Sequence, residues 1–149
     1  MLVSTVKDRD KWAPKGSFTL YAVLTEYKGK LLIKIGHTSN YSFLGRLAWN
    51  EHANDGYHKF GMTRPMNLEE KDRVKISQVV DLKEILDEVR IKETRKNVKE
   101  IEETMRKKFT SFNFNEDFSG KTEFVVVEKN TIEDIKKFFD NIRNTFECS

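Results

Sequence analysis

The chain reads as an α+β domain, a small and mainly antiparallel sheet of three to four strands flanked by helices. Three observations predict this. Two apolar runs, Phe18–Thr25 and Leu31–Ile35, are separated by a polar turn with Gly29, the pattern of an antiparallel hairpin. A stripe of Val98, Ile101, Met105, Phe109 and Phe112 follows helical spacing. A second stripe, Ile132, Ile135, Phe138, Phe139, Ile142 and Phe146, opens behind Thr131 and Asp134 and is suited to packing on a sheet.

Composition limits the rest. A chain of 149 residues is one domain's worth, read as an N-terminal arm (1–16) and a single domain (17–149) with an insertion loop near 54–73. The apolar fraction of 38% supports a core, and the charged fraction of 34% makes a heavily charged surface. The net charge of +3 permits a nucleic-acid partner without requiring one. Cys148 is the single cysteine and cannot form an internal disulfide, which fits a reducing compartment. No apolar run is long enough to span a membrane, and the N-terminus lacks a signal-peptide core. The expectation is a soluble, cytoplasmic protein with no membrane partner; nothing in the chain sets its oligomeric state.

In order, Lys7, Arg9, Lys11 and Lys15 outnumber the acids of the arm, and Trp12 is its one candidate anchor. The first strand is apolar on both faces, so it belongs inside the sheet rather than at its edge. After the second strand, Asn40 or Ser42 caps a helix to about Ala53, with Arg46 and Asn50 one turn apart on one face. The loop over 54–73 interleaves Tyr57, His58, Lys59, Phe60 and Arg64, a mixture suited to base stacking and phosphate contact. Val74–Val80 reads as a third strand. Asp81 then caps a helix carrying Leu82, Ile85, Leu86 and Val89. The phase breaks after Val89. Either a new helix starts at Val98 behind an Asn97/Glu100 capping box, or one continuous helix is re-entered through Ile91. Asn113–Lys121 is a loop, and Thr122–Val127 is a fourth strand or a short strand leading into the last helix.

Several chemistries are excluded. One cysteine and three scattered histidines cannot build a zinc site. Glycine-rich phosphate loops and a nucleophilic serine elbow are absent. What remains is a tyrosine strand, a strand ending in Lys34-Ile35-Gly36-His37-Thr38, an arginine on the next helix, and glutamates farther on.

Those parts, in that order, resemble the GIY-YIG nuclease superfamily, in particular its small phage and fungal branch with Lys-Ile-Gly as second motif. The first tripeptide falls on Thr19-Leu20-Tyr21 and the second on Lys34-Ile35-Gly36. Arg46 follows, with two residues added before it. Ile101-Glu102 with Met105 and Phe109 resembles the branch's glutamate helix, and Gly120-Lys121-Thr122-Glu123-Phe124 its Gly-x-x-Glu-aromatic segment. The resemblance covers about Phe18 to Ile142 and implies a magnesium- or manganese-dependent endonuclease acting on DNA. Tyr21 would hold or deprotonate the attacking water, as the resemblance implies.

Residue chemistry runs beside this. Phosphodiester hydrolysis needs an activated water, a cation on the phosphate and help for the leaving oxygen. Arg46 can clamp a phosphate in a fork. Lys34 can lower the phenol's resistance to ionisation or touch phosphate itself. Gly36 lets the backbone approach a ligand. Glu102 flanks the apolar stripe at roughly 60° from its centre and is the choice for the metal, with Glu123 in reserve. Asn50 could orient a water, and His37 could serve in acid–base work. Departures at Thr19 and Lys34 favour an alternative: an inactive module of the same fold that binds nucleic acid or a protein, such as a phage-encoded regulator of a host or defence factor.

Overall fold

A computed structural model describes residues 17–39, 76–118 and 120–146. The arm, the helix with Arg46 and Asn50, the loop with Lys59 and Arg64, and Cys148 lie outside the described residues. The described part is a four-stranded antiparallel sheet with two α-helices. Strands β1 (Phe18–Tyr27), β2 (Lys30–Thr38), β3 (Asp81–Ile91) and β4 (Phe124–Val126) lie in the order β3-β1-β2-β4. Helices α1 (Arg95–Arg106) and α2 (Thr131–Phe146) complete it.

The hairpin is longer and tighter than the sequence pattern indicates. Only Lys28 and Gly29 turn the chain, both at positive φ (48° and 81°). Such a two-residue turn matches the twist of the flanking strands. β1 is central, as its two apolar faces require. Leu20, Ala22, Ile33 and Ile35 point to one face with Val89, Ile91 and Val125, where α1 and α2 supply Val98, Met105, Ile135, Phe139 and Ile142. Tyr21, Val23 and Ile85 occupy the other face.

Two expectations fail at the third strand. Ile76–Gln78 is a 3-10 turn rather than part of a strand, and the segment from Asp81 read as a helix is β3. The cause is visible in the register. Val23 pairs with Ile85 but Ala22 with Asp87, and Leu24 with Glu84 but Thr25 with Leu82. Leu86 and Lys83 are therefore extra residues at bulges. They stretch the two-residue alternation into the 82, 85, 86, 89 spacing that imitates a helical stripe. The free edge of β1 recruits the segment despite that pattern.

α1 also starts earlier than expected. Thr94, not Asn97, caps it, its hydroxyl accepting from the Asn97 backbone N–H at 3.2 Å. The helix stops at Arg106, so Phe112 leaves the stripe. The chain at Thr110–Phe112 instead pairs with the outer side of β4, through Val126 N–H to Thr110 O (2.8 Å) and Phe112 N–H to Phe124 O (3.0 Å). Phe112 then joins Tyr27, Phe114, Phe118 and Phe124 in an edge-to-face cluster with centroids 4.8–5.9 Å apart. α2 follows its expected stripe, burying Ile135, Phe139 and Ile142; the side chain of Phe146 lies outside the described set.

Candidate functional site

The β1–β2 register places Tyr21 opposite Gly36, two residues along β2 from Lys34. Alternation puts all three on the face away from the helices. There the Lys34 ammonium donates to Tyr21 Oη at 2.7 Å and lies 4.9 Å from the centre of the tyrosine ring. It also forms an ion pair with Glu123 Oε2. Glu123 comes from the turn that feeds β4, and its side chain is 27% exposed, against 7% for Lys34. Lys34 thus stands beside Tyr21, and Glu123, the reserve carboxylate, is the one that joins them.

Electrostatics follow from that contact. Burial pushes the Lys34 ammonium towards neutrality. The Glu123 carboxylate, followed by Tyr21, outweighs burial and holds the group above the usual lysine range. Lys34 is a fixed cation at neutral pH.

Gly36 is required by packing. A Cβ there would come 2.5 Å from Tyr21 Oη and 3.0 Å from Glu123 Oε2. The phenol and the carboxylate occupy the space that a side chain would fill. Gly120 borders the cluster from the other side, where a Cβ would stand 3.2 Å from Glu123 Oε2 and from Lys34 Nζ. Two glycines therefore frame one ammonium, one phenol and one carboxylate.

Glu102 and His37 form a different cluster, on the helix side of the sheet. Glu102 is 3% exposed, which corrects the expectation of a carboxylate at the open edge of its helix. His37 Nδ1 lies 2.8 Å from Glu102 Oε1, and Arg106, one turn along α1, pairs with Oε2. Arg106 also donates to the Ile35 carbonyl at 3.3 Å. Burial raises the Glu102 carboxyl's pKa, but the His37 hydrogen bond and the Arg106 charge outweigh burial and hold it below the ordinary carboxylate value. Both oxygens of Glu102 thus have protein partners, and the arrangement ties α1 to the last turn of β2.

Three groups escaped sequence reading. Arg106 reads as an ordinary helix-end cation, although it sits four residues after Glu102, a spacing that signals a pair on a helix. Glu88 is buried and comes opposite Tyr21 in the β1–β3 register, on the face of the Tyr21 cluster. No signal could place it while its strand read as a helix. Glu116 accepts from Tyr27 Oη at 2.7 Å, a contact 89 residues apart in sequence.

No family model, curated protein or solved structure matches this chain. The site's chemistry therefore rests on its own geometry. Among the described residues no group of three or more His, Cys, Asp or Glu side chains comes together. A magnesium ion that keeps most of its waters and takes one carboxylate is compatible with Glu123, which water reaches. Among the described residues no helix is long and apolar enough to cross a membrane.

Proposed function

We propose that the protein is a GIY-YIG-like, divalent-metal-dependent endonuclease that hydrolyses phosphodiester bonds in DNA. The observation that carries this reading is the buried Lys34 ammonium donating to Tyr21 Oη while paired to Glu123, at the strand positions where the sequence resembles that superfamily. Tyr21 Oη holds the attacking water, and the Lys34 ammonium beside it stabilises the negative charge that develops there. Arg46, on the helix expected after β2, clamps the scissile phosphate. Glu123 is the carboxylate assigned to hold magnesium or manganese; once bound, such an ion supplies charge neutralisation at the phosphate and the leaving oxygen. Glu102 is assigned a positioning role instead, because His37 and Arg106 already take its two oxygens.

The test is cleavage of supercoiled plasmid with magnesium or manganese, comparing wild type with Tyr21→Phe and Lys34→Met. The reading expects nicking or linearisation by wild type and loss in both variants. Wild-type protein that binds DNA and leaves it intact, on modified as well as unmodified plasmid, would overturn the enzymatic reading and favour the inactive binding module.

A further inference from the structure

Helix α1 gathers its cations on one side. At 100° per residue, Arg95, Lys96, Lys99, Arg106 and Lys107 fall within an arc of about 120°; Glu103 lies inside it, and Glu100 and Glu102 each lie about 20° beyond one of its ends. Arg95, Lys96, Lys99 and Lys107 are exposed. Beyond Glu100 the helix surface is different. Glu93, Asn97, Glu100, Ile101 and Thr104 line a groove of about 520 Å³ against α2. The apolar residues of α1 are directed inward, Val98 and Met105 fully and Ile101 in part.

The basic arc adjoins the end of the hairpin. The Arg95 guanidinium carbon stands 4.9 Å from the centre of the Phe18 ring, and that ring meets His37 edge-on at 6.0 Å. Arg106 reaches the Ile35 carbonyl. The strip thus runs past His37, on the helix side of the sheet.

We infer that the basic arc of α1 is a phosphate-tracking surface for a nucleic-acid strand, separate from the Tyr21–Lys34–Glu123 cluster on the other face of the sheet. Twelve residues of helix extend about 18 Å. One strand of duplex DNA presents about five phosphates over that length. Point charges on flexible stems along a straight rod suit a repeating anion. An anionic membrane is the poorer partner, because a surface-bound helix needs an open apolar face and that of α1 is covered by the sheet and α2. The inference rests on the nuclease reading only for its choice of polyanion.

The experiment measures affinity for a short DNA duplex across a salt series without divalent metal, so that binding is read apart from cutting. Lys96→Ala/Lys99→Ala is compared with Lys136→Ala/Lys137→Ala, a pair of exposed lysines on α2. Arg95 and Arg106 are left intact because they contact Phe18 and Glu102. Each lost phosphate contact lowers the slope of log affinity against log salt by about 0.9. The α1 pair is expected to lower it by about two, and the α2 pair to leave it unchanged. An unchanged slope in the α1 pair, an equal fall in the α2 pair, or binding to phosphatidylserine vesicles but not to duplex would overturn the inference. Wild-type protein that binds with the expected slopes yet cuts nothing retains this surface and removes the nuclease; protein that cuts but whose slope ignores α1 does the reverse.

Discussion

The two ionic clusters at the end of β2 have nearly the same ingredients and differ in what they leave open. Each centres on one carboxylate, and each carboxylate meets a cation. On the helix side both oxygens of Glu102 are engaged, by His37 and Arg106, and the side chain is almost wholly covered. On the other side Glu123 gives one oxygen to Lys34 and remains over a quarter exposed, between two glycines that keep side chains away. A carboxylate with both oxygens committed holds the fold together. One with an accessible edge, near a phenol and a fixed ammonium, can take part in chemistry.

The largest expected break in that contrast is Lys34→Met. It removes the cation from Tyr21 Oη, and losing one preorganised charge of this kind lowers turnover about 10²–10³-fold. Glu123 is exposed enough to be hydrated when unpaired, so thermal unfolding should change far less than activity. Plasmid cleavage beside calorimetry reads both.

Glu102→Ala should act in the opposite sense. It leaves Arg106 and His37 facing a void beside a covered carboxylate position, and breaking a buried pair this way costs about 3 kcal/mol. Urea unfolding measures it. A loss under about 1 kcal/mol would show that the cluster contributes little to the fold.

Gly36→Ala comes next. Its Cβ would meet the Tyr21 hydroxyl at 2.5 Å, inside a buried strand pair that has little freedom to shift. Overpacking of this kind costs about 1–3 kcal/mol. Gly29→Ala is the useful comparison, because nothing lies within 4 Å of a Cβ there and only the positive φ opposes it. If both variants unfold alike, close packing at Gly36 is not the reason for the glycine.

The smallest effect is on pH dependence. Glu102 has its carboxyl pKa depressed in the folded state relative to an unfolded value of 4.5. Its contribution to stability is therefore complete above about pH 4.5 and is lost as pH falls below it, through the lower folded value. Denaturation midpoints of wild type should decline over that acid range, with a shallower decline in Glu102→Gln. Parallel curves would mean that Glu102 does not carry the acid sensitivity.

How much of this is legible in the sequence depends on whether contacts are local. The hairpin, the central place of β1 and the stripe of α2 follow from alternation and helical spacing, and the structure has them. That Tyr21 and Lys34 share a face is not legible, because the turn read between Thr25 and Leu31 sets those two residues opposite each other, whereas the two-residue turn at Lys28 and Gly29 pairs Thr25 with Leu32, and a slip of one residue changes the face. β3 is not legible, because the bulges at Lys83 and Leu86 convert a strand's period into a helix's. Glu123 ranks below Glu102 on sequence because helical geometry favours a carboxylate near an apolar stripe. Nothing local shows that Lys34, 89 residues away, selects the other one, or that His37 and Arg106 occupy the first.

The most direct measurement compares Glu123→Ala with Glu102→Ala in metal-dependent plasmid cleavage, each rate corrected for the fraction folded at the assay temperature. The account predicts that Glu123→Ala stays folded and stops cutting, while Glu102→Ala is less stable and its folded fraction still cuts. Cutting at the wild-type rate by Glu123→Ala, together with a folded but inactive Glu102→Ala, would contradict it and place the chemistry on the helix side of the sheet.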